Sequence, residues 1–175
     1  HLLSLYQEAM TNGSFPDDLD RATIVVIPKT DPPAENCASY RPISLINTDI
    51  KLYAKILALR LTKALPHLVH QDQCGFMPNR GTRHCIRRVH SAISRIHTAT
   101  YDAALLLIDF EKAFDSVAWS FLLEVLDRMG LGEKFQKMVG LLYQRPTAQV
   151  LVNGVLSSPF PIRRGTRQGC PLSPL

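Results

Sequence analysis

The chain has 175 residues, 46% hydrophobic and 20% charged, a balance that excludes a disordered segment and suffices for one buried core or two small lobes sharing a groove. Twenty Lys and Arg against fifteen Asp and Glu give a formal charge of +5, which favours an anionic partner, nucleic acid first and an acidic membrane surface second. No apolar run approaches the roughly 20 residues of a membrane span, and the N-terminal HLLSLYQEAM lacks the basic flank and cleavage pattern of a targeting segment.

In chain order, HLLSLYQEAM reads as a helix and NGSFPDD as a turn. ATIVVIPK (22–29) is β-branched and apolar, a buried strand stopped at Pro28, and TDPPAENCASYRP is a proline-rich loop. From Thr48 a long amphipathic helix carries Ile50, Tyr53, Ala54, Leu57, Leu61, Ala64 and Leu68 at helical spacing, with Asn47 or Thr48 as its N-cap. After the loop HQDQCGFMPNRG, TRHCIRRVHSAISRIHTA reads as a second helix whose core stripe is Ile86, Val89, Ile93 and Ile96. Arg83, Arg87, Arg88 and Arg95 lie mostly off that stripe, forming either a basic face for a phosphate backbone or an ordinary solvated surface. The cysteines (Cys37, Cys74, Cys85, Cys170) include no C-x-x-C pair. With His67, His70 and His84 they match no standard zinc spacing, so reduced free thiols are expected.

AALLLIDF (103–110) is too uniformly apolar to have a wet face and reads as a central strand. Ser116 to Met129 reads as a helix capped by Asp115 and closed by Gly130, and EKFQKMVGLLY as another. TAQVLVNGVLSS alternates around Asn153-Gly154, the signature of a two-residue hairpin turn. Strands and helices mix without a strict βα repeat, so the fold class is α+β.

Asp109 raises the chemical question. A carboxylate at the end of a buried apolar strand costs free energy unless it is paired, hydrogen-bonded or bound to metal; a capping or salt-bridged acid is the plain alternative. Around it, FEKAF offers a tight turn of backbone N–H groups, Phe114 a flat wall five residues on, and Arg163–Gly169 a basic, glycine-punctuated loop. An acid, an aromatic wall and a basic loop together describe a nucleotidyl-transfer site.

The segments IPK, YRPISLINTDIKLYAKILALRL, QDQCGFMPNRGT, LLLIDFEKAFDSVAW, LLYQRPTAQVLVNG and RRGTRQGCPLSPL run in the order found in reverse transcriptases of non-LTR, LINE-type retrotransposons, and the chain resembles that family over nearly its whole length. The resemblance implies the fingers (1–100) and the first part (101–175) of the ferredoxin-like palm of a right-hand polymerase. It implies RNA-directed DNA synthesis, with dNTPs added to a primer 3′-OH and two Mg²⁺ ions at the centre. Asp109 resembles the first metal ligand, with the backbone carbonyl of Phe110 as a second contact. Phe114 resembles the ring that rejects a ribose 2′-OH. Lys29 and Arg41 resemble residues reaching the triphosphate; Gln168 and Gly169 resemble those beside the new base pair and template strand. Arg80, Arg83, Arg87, Arg88, Arg164 and Arg167 would meet nucleic acid. The partners so implied are an RNA template, a DNA primer and dNTP, in a ribonucleoprotein with the element's own RNA and without a membrane; an intracellular setting, nucleus or cytoplasm, comes with the family.

The family continues past GCPLSPL to a hairpin bearing an aromatic-x-Asp-Asp motif. This chain stops first, so it is expected to be a piece of a longer protein and inactive alone. Phe15-Pro16-Asp17-Asp18 spells a similar string but lies upstream, contains a proline and reads as a turn. A non-catalytic nucleic-acid-binding remnant, and a different metal-dependent phosphotransferase, are the rival readings.

Overall fold

Helix α1 (Leu2–Asn12) and a single helical turn, α2 (Asp17–Asp20), lead into strand β1 (Arg21–Pro28). A 3₁₀ turn (Cys37–Ser39) precedes β2 (Tyr40–Leu45); then come α3 (Thr48–Leu68), α4 (Thr82–Thr98), α5 (Ala113–Ser116), α6 (Trp119–Arg128) and α7 (Glu133–Gly140). The chain ends with β3 (Thr147–Val152), β4 (Val155–Leu156), β5 (Phe160–Pro161) and an irregular tail. The computed structural model describes residues 1–30, 35–98 and 103–175, with only the backbone of His97. Mixed helices and strands make the chain α+β, as expected. No described helix is long and apolar enough to cross a membrane.

The sheet is mixed, in the order β2-β1-β3-β4, with β5 also on β3. β1 runs antiparallel to β2 and parallel to β3, in the register Arg21↔Thr147 to Val25↔Leu151. The proline-rich stretch expected as a loop as far as Pro42 therefore includes a strand. Pro42 sits opposite Val26 in β2, an edge strand, where a missing N–H is tolerated. Asn153 and Gly154, at φ 50° and 80°, form the expected turn between β3 and β4.

Packing divides the chain into two units, His1–Ala58 with Lys112–Pro174, and Leu59–Glu111 with Leu175.

In the first unit Asn47 is the cap of α3: its Oδ1 accepts the Asp49 N–H at 2.9 Å. The cap sets the helix so that Ile50, Tyr53, Ala54 and Leu57 are buried. The Tyr53 ring lies 5.0 Å from Tyr6 and 5.1 Å from Phe15, and its hydroxyl donates to the Met138 carbonyl at 2.9 Å. One side chain thus ties α1, the Phe15 turn, α3 and α7 together. Ala22 and Ala148 from the sheet and Leu126, Val139, Leu141 and Leu142 complete the core.

The helix expected from Ser116 is broken. α5 ends at Ser116, Val117 is extended (φ −63°, ψ 123°), and α6 starts at Trp119 with Ala118 as an N-cap that makes no side-chain bond. Asp115 lies inside α5 and caps nothing. The break follows from where the Val117 carbonyl is used: it accepts the Gly165 N–H at 2.8 Å. The closure at Gly130 is as expected, with Gly130 N–H on Asp127 and Leu131 N–H on Leu126.

In the second unit Leu61, Leu65 and Met77 are buried. Helix α4 forms over the expected span, but its stripe is not a core, because Ile86, Val89 and Ile93 are exposed. Residues 103–110 are not a strand. They are irregular, and Leu106 is 78% exposed. Uniform apolarity signals a demand for burial, but a strand also needs hydrogen-bonding neighbours, and no described strand pairs with this segment. The expectation of free thiols fails in part: Cys74 and Cys85, 11 residues apart, form a disulfide, while Cys37 and Cys170 are free.

Tyr53 gives a direct test of the first core. Tyr53→Phe removes one hydrogen bond and should cost about 1 kcal/mol, whereas Tyr53→Ala should cost about 3–5 kcal/mol, both read from urea titration. Equal losses would mean that the ring contacts contribute little.

Candidate functional site

The basic loop 163–169 is fastened to the aromatic wall by hydrogen bonds at close range. The Phe114 carbonyl accepts the Thr166 N–H at 2.7 Å and the Thr166 hydroxyl at 3.4 Å. Gly165 gives its N–H to Val117, and its carbonyl accepts the Trp119 Nε1–H at 2.8 Å. A Cβ on Gly165 would lie 2.8 Å from the Asp115 carbonyl oxygen, and its φ is 83°. Only glycine satisfies both conditions. Phe114 itself stays 39% exposed, so the loop grips its backbone without burying the side chain.

The far end of the loop is fastened to the sheet. The Ser44 N–H in β2 donates to the Gln168 carbonyl at 2.7 Å. Gly169 has φ 114°, and a Cβ there would stand 2.6 Å from the Ser44 carbonyl oxygen. Gln168, Arg164 and Asp115 share a pocket of ≈ 210 Å³ with Ile24, Pro42 and Ser44. Gln168 and Phe114 are thus organised by one loop.

Arg167 was expected at nucleic acid and is instead buried. Its Nη2 donates to Asp20 Oδ1 at 2.7 Å and to the Asp20 carbonyl at 3.2 Å, because a buried guanidinium needs a charged partner. Arg163 and Arg164 remain exposed. Burial raises the Asp20 carboxyl above its ordinary 3.8, and Arg167 opposes that shift without cancelling it. Tyr143, whose ring is 5.5 Å from Trp119, is pushed up to about 12, chiefly by burial.

Lys29 and Arg41 lie at one end of the β1–β2 pair. The Lys29 N–H bonds the Ser39 carbonyl and its Nζ the Ala38 carbonyl, at 2.8 and 2.7 Å. Arg41 sits opposite Ile27 and is exposed.

Within the second unit, Asp109 and Phe110 are exposed in the irregular segment. Among the described residues no group of three or more His, Cys, Asp or Glu converges on a point that could hold a metal. Hard divalent cations need several oxygen ligands, so the described residues do not compose a magnesium site. Asp17 and Asp18, the upstream acid pair, are exposed on α2. Arg80 organises its own loop: Nη1 donates to the carbonyls of His70 (2.7 Å) and Gln73 (3.1 Å), and Nη2 to that of Pro66 (3.4 Å). Arg88 pairs with Asp72. Arg80, Arg87 and Arg88 line one cavity of ≈ 450 Å³; Arg83 and Arg87 are exposed on α4.

Asp20, Ser44 and Trp119 were not singled out from the sequence. Trp119, the single tryptophan, offered a signal, since a buried indole N–H needs an acceptor. Asp20 and Ser44 offered none, because each acts on a loop more than 120 residues away in the chain.

Two outcomes are expected. Gly169→Ala should cost about 2–3 kcal/mol, from a forbidden backbone conformation and a backbone clash; an unchanged melting temperature would show that β2 yields easily. For Asp20, a folded-state pKa above the unfolded value means its stabilising contribution is full below pH 3.8 and is lost as pH rises through the raised value. The stability advantage over Asp20→Asn should therefore be largest in acid and shrink with rising pH in denaturant titrations. An advantage that grows with pH would contradict the shift.

The reverse transcriptase (RNA-dependent DNA polymerase) family model matches residues 27–175. The chain is 32% identical over 166 residues to the uncharacterized 149 kDa protein of transposon TX1 from Xenopus laevis, covering 95% of this chain and 13% of that one. It is 31% identical over 180 residues to the RNA-directed DNA polymerase from mobile element jockey of Drosophila melanogaster, covering 99% and 19%. It is also 31% identical over 168 residues to the Pol polyprotein of the type-1 retrotransposable element R2 from Popillia japonica, covering 94% and 23%. The chain thus spans less than a quarter of the length of these relatives, and it belongs to the reverse transcriptase (RNA-dependent DNA polymerase) family.

Proposed function

We propose that the chain forms the fingers (1–100) and the first part of the palm (101–175) of a polymerase that copies RNA into DNA, adding dNTPs to a primer 3′-OH. The observation that carries this reading is the loop 163–169 bound to the backbone of the part-exposed Phe114. A selective nucleotide pocket needs a rigid wall at the sugar and a rigid floor at the base, and preorganised backbone contacts supply rigidity at no cost during reaction. In this reading Phe114 excludes the ribose 2′-OH, and Gln168 and Gly169 lie beside the new base pair. Lys29 and Arg41 face the triphosphate. Lys29 must exchange its Ala38 carbonyl for phosphate, which suits a residue recruited on binding.

Arg83, Arg87 and Arg164, all exposed, are assigned to phosphates of primer and template, with Arg80 and Arg88 shaping the adjoining cavity. Their contacts carry affinity rather than sequence choice. Asp109 and the Phe110 carbonyl are assigned to a divalent metal, Mg²⁺ by family. One carboxylate does not make a two-ion site, so no catalytic step follows from these residues alone. A ribonucleoprotein with the element's own RNA fits the basic surface.

The test is primer extension by a longer protein carrying this segment. Asp109→Asn should abolish synthesis with the fold intact, since Asn keeps the shape and loses the charge. Phe114→Val should raise rNTP use relative to dNTP. Near-normal synthesis by Asp109→Asn would overturn the metal assignment. Nucleic-acid binding by the parent without any synthesis would favour a non-catalytic remnant.

A further inference from the structure

Arg167 occupies the middle of the clamped loop, and its side chain runs inward. Its side chain is 8% exposed and that of Asp20 4%. Both of its contacts are made to one residue, at the carboxylate and the main-chain carbonyl, so they fix the backbone of Asp20 as well as its rotamer. Asp20 immediately precedes β1. It lies upstream of the family-matched residues 27–175, so the match assigns it nothing.

A buried ion pair is a poor device for stability alone, because dehydrating two charges offsets most of their attraction. Two directional, charge-assisted bonds from one guanidinium nitrogen, to the carboxylate and to the backbone carbonyl, do fix position. Position is what this loop requires. The residues flanking Arg167 make the critical contacts: Thr166 to the Phe114 carbonyl, and the Gln168 carbonyl to the Ser44 N–H. A shift of Arg167 must disturb one contact or the other.

We propose that Asp20 is a positioning residue for nucleotide selection, acting through Arg167 to hold Gln168 in register with Phe114. The assignment rests on the polymerase reading and names a determinant of selectivity that lies outside the family-matched segment.

The experiment uses the longer polymerase carrying this segment and compares Asp20→Asn with Leu57→Ala, a variant of the buried core on α3. In steady-state primer extension, Asp20→Asn should raise the dNTP KM about tenfold and the rNTP-to-dNTP ratio about fivefold, with kcat within about threefold. Leu57→Ala, though destabilised, should leave both ratios near the parent values. The double variant Asp20→Asn/Arg167→Gln should be no worse than the worse single one, because both remove the same interaction. If Asp20→Asn does not fold, Arg167→Lys keeps the buried charge while losing the planar guanidinium that reaches both Asp20 oxygens, and should show the same split. Parent-like KM and sugar ratio in the folded variant, or additive losses in the double variant, overturn the assignment while the polymerase reading stands. A parent that extends no primer overturns both.

Discussion

At Gly165 and Gly169 the loop backbone runs against other backbone, first that of Asp115 and then that of Ser44, closer than any side chain would permit. The rest of the first unit's site depends on these two crossings. They bring a segment from the C-terminal part of the chain onto a short helix on one side and an edge strand on the other. They also explain features that look like defects when considered alone. Helix α6 begins late because the Val117 carbonyl accepts from Gly165, and Ser44 in the edge strand β2 is buried where its N–H meets Gln168. Local regularity is lost where long-range contact is gained.

The pair of Asp20 and Arg167 belongs to the same design. Its raised carboxyl pKa says that dehydration outweighs the attraction of the guanidinium, so the pair contributes little net stability that an apolar pair could not. Its value is directional: it joins the start of the central strand to the middle of the loop, across 147 residues of sequence. Removing either partner leaves the other dehydrated without its bond, which makes the arrangement hard to lose once formed.

Local chemistry was legible in the sequence and distant partners were not. Asn47 announced its helix, Asn153-Gly154 its hairpin and Gly130 its stop, because each acts on backbone within a few residues. Pro42 concealed β2, since a proline argues against a strand unless the strand is known to be an edge. Residues 103–110 and the stripe on α4 were read as core from composition and period, which report the wish for burial and not the supply of a partner. At the site, Phe114 and the loop 163–169 were singled out from the residues and given roles by family resemblance, and the Thr166 bond that joins them was visible only in three dimensions. Arg167 shows the limit most clearly. Beside two other arginines it reads as a phosphate contact, and only Asp20, far upstream, turns it inward.

Asp109 and Phe114 are five residues apart, yet their supports differ in kind. The backbone of Phe114 is held by Thr166, within a loop itself held at Asp20 and Ser44. Asp109 sits in an exposed, irregular run with no described strand beside it. Between them Lys112 adopts a left-handed conformation (φ 49°, ψ 41°), uncommon for a residue that carries a side chain. The residue proposed as the sugar wall is therefore held by long-range backbone contacts, whereas the one proposed as a metal ligand lies in a run without strand neighbours among the described residues.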